Sequence, residues 1–313
     1  MATALYSHDE CKGHVTPDGH PERVARLEAI EAALSADAFA PLDRREAPLA
    51  DRADLLRCHT ESYVDEIEAL IPSAGSRALD ADTHVSPGSW NAALRAAGAA
   101  CAAVDAVIAG EIGNAFCAVR PPGHHAETET PMGFCLFGNV AIAAKRALDH
   151  HGLTRVAVLD FDVHHGNGTQ DLLWNEARAL FVSSHQMPLW PGTGGPHETG
   201  AHDNVMNVPL PPGTGGAGFR RAWEGQVFPV LGEFAPELIF VSAGFDAHAD
   251  DPLAQLALVE DDFVWVTERL CAQAAQSAGG RVVSVLEGGY DLGALGRSVA
   301  AHVEVLMRWG EGR

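Results

Sequence analysis

The stretch from Arg155 to Thr169, RVAVLDFDVHHGNGT, changes character halfway along. Its first part, Arg155–Asp162, is a near-continuous apolar run with β-branched residues, the pattern of a strand buried on both faces of a parallel sheet. Its second part is polar and gathers Asp160, Asp162, His164 and Asn167 within eight residues. Open α/β sheets place their ligand sites in this way, just beyond the carboxyl ends of the strands.

Working outward, Ala115–Val119, Leu180–Ser183, Leu238–Ala243 and Arg281–Leu286 repeat the strand pattern. Longer Ala- and Leu-rich segments of helical period lie around them: Pro21–Ala36, Pro87–Ala109, Gly138–His150, Thr214–Phe234, Asp261–Ala278 and Asp291–Arg308. In the first of these, Pro21 suits the first helical position and Glu22 the first turn. The alternation predicts α/β architecture: a single domain over residues 1–313, with a mostly parallel, multi-stranded sheet and helices on both faces. No internal repeat, low-complexity block or long linker interrupts it, and 313 residues suffice for one large domain.

Composition narrows the function classes. The formal net charge is −21, and Lys12 and Lys145 are the only lysines. Such a surface repels nucleic acid and could attract cationic substrates such as polyamines or basic peptides; solubility, or an acidic, arginine-preferring host proteome, is the blander reading and the favoured one. The longest apolar stretches, such as Leu238–Ala243, are far too short to cross a bilayer. Residues 1–10 carry His8, Asp9 and Glu10 where a secretory peptide needs an apolar core. A cytoplasmic protein that binds neither membrane nor nucleic acid is therefore expected, with a homo-oligomer left open. Six cysteines without paired spacing read as reduced thiols, so any metal must be held by histidine and carboxylate.

Four strand candidates run into polar clusters: RPPGHHAE (120–127), DFDVHHGNGT (160–169), AGFDAHADDP (243–252) and LEGGYD (286–291). In an extended chain Asp162 and His164 point to one face and can converge on one ion, with Asp160 on the same face and Asp246 as the best third ligand. A zinc ion held by two carboxylates and one imidazole acidifies water less than a three-histidine site, so a separate base is needed. His124 and His125 offer one, each open to orientation by a carboxylate or amide. Tyr290, after Gly288 and Gly289, can donate to a developing oxyanion.

These motifs, with HPERVARL (20–27), GFC (133–135) and PGTG (191–194), resemble the arginase-deacetylase superfamily. Within it they look like class II-like histone deacetylases and bacterial acetylpolyamine amidohydrolases, in the family's order from His20 to Tyr290. The resemblance implies a zinc-dependent amidohydrolase that removes acetyl groups from acetyl-lysine or acetylated amines. It implies Zn²⁺ (or Fe²⁺) on Asp162, His164 and Asp246, and His125 as general base and acid. His124 would be an electrostatic partner oriented by Asp160, Asn167 would orient His125, and Tyr290 would donate to the oxyanion. A structural K⁺ would use Asp160 and the backbone of Asp162, His164, Ser183 and Ser184. A substrate tunnel would be walled by Gly133, Phe134, Trp190, Leu253 and Gly288. Trp190 is bulkier than the Phe or Tyr expected there. Leu253 stands in DPLA where the polyamine-selective branch has Glu, and the N-terminal insertion of dimeric acetylpolyamine enzymes has no room here. The last two departures weaken a specialised polyamine assignment and leave it as the alternative.

Other readings bear on single motifs. DAHAD (246–250) mimics an arginase-like manganese motif, and a catalytically silent reader of acetylated ligands would bind without turnover. His8, His14, His59, His84, His150, His151, His185, His197, His202, His248 and His302 are expected to be structural or solvated, Asp250 and His248 to lie at the surface or tunnel rim, and Glu127 and Glu129 to decorate an active-site loop. The glycine-rich patches lack phosphate-loop spacing and read as turns.

Overall fold

A computed structural model describes residues 1–311. In chain order they form strands β1 (Thr3–Ser7), β2 (Asp43–Glu46), β3 (Arg77–Ala78), β4 (His84–Val85), β5 (Asn114–Cys117), β6 (Val156–Asp160), β7 (Ala179–Gln186), β8 (Val205–Leu210), β9 (Leu238–Ala243) and β10 (Val282–Leu286). The principal helices are α1 (Ala25–Ala33), α2 (Arg52–Leu55), α3 (Glu61–Leu70), α4 (Ser89–Ala109), α5 (Asn139–Asp149), α6 (Asn167–Leu173), α7 (Gly216–Ala222), α8 (Phe228–Phe234), α9 (Glu260–Ser277) and α10 (Leu292–Glu311). Eight strands make one sheet in the order β2-β1-β5-β10-β9-β6-β7-β8, every pairing parallel, while β3 and β4 form a separate antiparallel pair. Helices α1, α8, α9 and α10 pack together as one layer, and α4, α5 and α6 as another. All five residues of β6 are fully buried, as expected of a strand covered on both faces.

The five strands read from sequence are all present, with ends shifted by no more than a few residues. Three were missed. β1, with the sequence TALYS, has polar Thr3 and Ser7 at its ends and no extended β-branched apolar run. β2, with the sequence DRRE, is an edge strand whose residues alternate between half-buried and exposed. β8, at the other edge, carries Pro209, which an edge tolerates because one side of its backbone is unpaired.

Among the helices, α1 starts at Ala25 and not at Pro21. The Glu22 side chain is drawn into the core, where it meets the guanidinium groups of Arg120 and Arg26, so residues 21–24 bend before the helix begins. The segment from Thr214 to Phe234 is broken by a π-turn, Trp223–Val227, just ahead of Pro229, whose nitrogen has no hydrogen to give the helical ladder. α4 spans 21 residues and is apolar enough to cross a membrane by length and composition, which the short strand runs did not reveal. Within this fold 67% of its most apolar window is buried, against α5, β5 and β10. The six cysteines are all buried.

Candidate active site

The four polar motifs follow β5, β6, β9 and β10, and these strands are consecutive in the sheet as β5-β10-β9-β6. Because all are parallel, their carboxyl ends open on the same edge, with β7 and the segment leading to Trp190 alongside.

β6 ends at Asp160, so Asp162 and His164 do not converge through the pleat of a strand as expected from their spacing. They lie in the bend beyond it. Asp160 Oδ1 accepts from the Asp162 amide (3.0 Å) and Asp162 Oδ1 from the His164 amide (2.9 Å). Two successive side-chain-to-backbone turns thus fold the chain back on itself, a habit of Asp in loops. The Val163 amide donates to Asp246 Oδ1 (3.0 Å), which ties the bend to the end of β9.

His164 Nδ1 is 3.2 Å from Asp162 Oδ1 and 3.1 Å from Asp246 Oδ2, and one donor atom from each of the three buried residues lies within 4.8 Å of the others. Glycine is required around them. A Cβ on Gly288 would stand 2.2 Å from Asp246 Oδ2, and one on Gly244 would stand 2.0 Å from Asp162 Oδ2. Burial, reinforced by the Asp162 charge, raises Asp246 to about 7. Burial opposes charge on His164, yet hydrogen bonds to Asp162 and Asp246 raise its pKa to about 10. Among the described residues no lysine or arginine pairs with either carboxylate. A buried pair of carboxylates with one imidazole and no basic partner has the charge and donor types that a divalent zinc-like cation requires.

His124 Nδ1 lies 2.9 Å from Asp160 Oδ2, and His125 Nδ1 lies 2.7 Å from Asn167 Oδ1. The two rings are 3.9 Å apart, but their surroundings split them. Burial works against charge on both. At His124 the Asp162 and Asp160 carboxylates outweigh it and hold the pKa well above the ordinary imidazole value. At His125 burial is reinforced by the neighbouring His124 and His164 and drives the pKa well down. A bound dication would temper the rise at His124. The turn itself is clamped by the fully buried Glu287, whose Oε2 accepts from the Gly123 (2.7 Å) and His124 (3.1 Å) amides.

Tyr290 is buried, and burial together with the nearby Asp246 keeps its hydroxyl protonated, pushing the pKa well up. Its amide donates to Asp251 Oδ2 (2.7 Å), and the Arg26 guanidinium lies 5.0 Å from its ring. A cavity of about 340 Å³ is walled by Phe134, Leu189, Trp190 and Leu253, and also lined by His125, His164 and Tyr290. Gly133 has φ of +56° and a Cβ there would strike His125 Cδ2 at 2.4 Å, so only glycine lets this wall approach the imidazole. Gly288 lies beneath the carboxylates and is not part of the cavity wall. Asp160 and Ser183 are paired in register across β6 and β7, with Ser184 Oγ 3.4 Å from the Asp160 carbonyl.

Several residues stand elsewhere than the sequence suggested. His84, expected to be structural or solvated, lines the outer cavity with His20 and Asp82. His248 is buried, not a surface or rim residue, and its Nδ1 accepts from the Asp250 amide (3.0 Å). Glu127 lies on the active-site loop as expected, and it also touches the machinery, since its Oε1 accepts from Asn167 Nδ2 at 2.8 Å. Glu287 sits inside the quoted LEGGYD and Asp251 inside AGFDAHADDP, but their partners lie on other loops.

The Histone deacetylase domain family model matches residues 20–306. A probable deacetylase of Archaeoglobus fulgidus is 41% identical over 298 residues, spanning 93% of this chain and 82% of its own. The histone deacetylase-like amidohydrolase of Pseudomonas aeruginosa is 43% identical over 277 residues, 87% of this chain and 73% of that one. The crystal structure of the HDA15 HD domain superposes with a TM-score of 0.92 at 32% identity, covering 98% of this chain and 88% of that one.

Proposed function

The chain belongs to the histone deacetylase family and is a deacetylase, and from that premise we propose that it hydrolyses the N-acetyl amide of acetyl-lysine, or of another linear acetylated amine, to acetate and the free amine. The observation that carries the proposal is one apolar-walled cavity lined by His164, by the imidazole of His125 and by Tyr290, with Asp162 and Asp246 gathered behind His164. Asp162, His164 and Asp246 would hold the metal, which we take to be Zn²⁺. When bound, it supplies a Lewis acid that polarises the amide carbonyl and acidifies water.

The chain's own groups do the rest. Asn167 Oδ1 faces His125 Nδ1, so that nitrogen carries the hydrogen and Nε2 keeps the lone pair. Neutral His125 takes the proton of the attacking water at Nε2 and delivers it to the departing amine nitrogen as the C–N bond breaks. Tyr290 donates to the carbonyl oxygen as negative charge grows there, a stabilisation of about 3 kcal/mol. His124, held charged against Asp160, adds a fixed positive charge beside the reacting atoms. K⁺, in a structural part only, would sit behind the site against Asp160 and the backbone of Asp162, His164, Ser183 and Ser184.

Turnover of an acetyl-lysine peptide, N-acetylputrescine, N8-acetylspermidine and a trifluoroacetyl-lysine reporter, each with and without chelator, tests this. Chelator-sensitive hydrolysis strongest on the peptides marks a protein deacylase. Preference for the free amines makes it an acetylpolyamine enzyme, a reading favoured by Asp82 in the outer wall and opposed by Leu253. No turnover with zinc bound would overturn the proposal.

A further inference from the structure

We propose that Glu127 is a positioning residue for His125, acting through Asn167, and that it sets which ring nitrogen of His125 carries the hydrogen. The inference rests on the deacetylase reading and adds a third member to the His125–Asn167 pair.

The problem Glu127 solves is the near-symmetry of a carboxamide. Asn167 can turn over with almost no change of shape. In one orientation its Oδ1 accepts from His125 Nδ1–H and leaves Nε2 with a lone pair toward the cavity. In the other, its NH₂ faces Nδ1, the hydrogen moves to Nε2, and the base is capped. Groups at the far end of the amide decide between them. Asn167 Nδ2 meets Glu127 Oε1 at 2.8 Å, the Met132 sulfur at 3.3 Å and the His125 carbonyl at 3.4 Å. All three are acceptors, and Glu127 is the closest and the one that carries charge. With the amide reversed, two oxygens would face one another at the Glu127 distance, with no hydrogen between them.

Glu127 is held in place to do this. Its amide donates to the Thr130 carbonyl (3.0 Å). The next residue, Thr128, donates through both its amide (2.8 Å) and its hydroxyl (2.6 Å) to Asp171 Oδ2. Asp171 lies one turn along α6 from Asn167, so the helix that carries the amide also anchors the loop that carries the carboxylate. A carboxylate–amide–imidazole chain is also polarised along its length. The Asn167 oxygen is made a better acceptor, and the imidazolium formed on proton uptake is stabilised, by a charge one residue removed from the ring.

The test compares Glu127→Ala and Glu127→Gln with the wild type, all zinc-loaded. Steady-state hydrolysis of an acetyl-lysine peptide is measured, with the His125 ring nitrogens observed by long-range proton–nitrogen NMR without substrate. Glutamine can still offer Asn167 a carbonyl oxygen, but it carries no charge and can itself turn over, so its loss of turnover and its tautomer mixing should be smaller than those of alanine. Alanine should lower kcat about tenfold, as loss of a histidine-orienting partner does, with KM within about twofold and a mixed tautomer at His125. Unchanged kcat in Glu127→Ala, equal loss in both variants, or an unaltered Nδ1–H tautomer in the alanine variant would overturn the proposal. The spectrum is read independently of turnover, so an inactive wild type would count against the deacetylase reading while the tautomer comparison still decided the role of Glu127.

Discussion

Tyr290 is held by its backbone, not by its hydroxyl: its amide is fixed to Asp251 and its ring is packed between Arg26 and Phe134. Its hydroxyl therefore acts from a fixed platform, and Tyr290→Phe should lower kcat by about 100-fold or more while zinc content stays at the wild-type level. Parallel loss of metal and turnover would remove its role as donor to the oxyanion. At this scale the sequence carried most of the candidate site, because Asp162, His164, Asp246, His124, His125 and Tyr290 all stand in short motifs at strand ends. What it could not carry were the carboxylates that hold those motifs. Glu287 clamps an amide 164 residues away and Asp251 one 39 residues away, and no local pattern records either pairing.

At the scale of elements, α10 is fastened to the sheet through His302, whose Nδ1 lies 2.7 Å from Thr267 Oγ1 on α9 and whose Nε2 lies 2.9 Å from Ser284 Oγ on β10. Burial holds this imidazole at about 3, and holds those of His14 and His59 at about 4, against an ordinary value of 6.5. The unfolded chain therefore binds protons first as pH falls. Stability is full above about pH 6.5 and declines below it, each such histidine costing up to about 1.4 kcal/mol per pH unit until its folded pKa is reached. Denaturant unfolding at pH 7.5 and 5 should show this loss, and His302→Gln should make it shallower; a variant with the full wild-type slope would assign the acid sensitivity elsewhere. Elements were legible where burial on two faces left an apolar run, as in β6 and β9. They were not legible at the edges, where β2 is four polar residues, nor at α1, whose start was decided by the buried Glu22 ion cluster and not by the proline ahead of it.

The whole molecule carries a net charge of −21. Such a field attracts cationic substrates over distances that salt shortens to about 3 Å at 1 M. For a cationic acetylated amine, kcat/KM should fall as ionic strength rises from 0.05 to 0.5 M, taken as roughly the range over which steering is lost, while an uncharged acetylated amide of similar length should be nearly insensitive. Equal responses would leave the acidity to solubility alone. The parallel β5-β10-β9-β6 block explains why the fold class could be read early: its motifs all needed the same sheet edge.

The position of β10 also has a consequence for how the molecule is made. The last of the described strands to leave the ribosome is inserted into the middle of the sheet, between β5 and β9. Until it arrives, the nascent chain can form only two half-sheets, β2-β1-β5 and β9-β6-β7-β8, each with a bare inner edge. Glu287, Gly288 and Tyr290 travel with that strand. A chain whose synthesis stops short is thus both unable to close its sheet and unable to act, so partly made copies are silent and carry the open edges by which chaperones and proteases can find them.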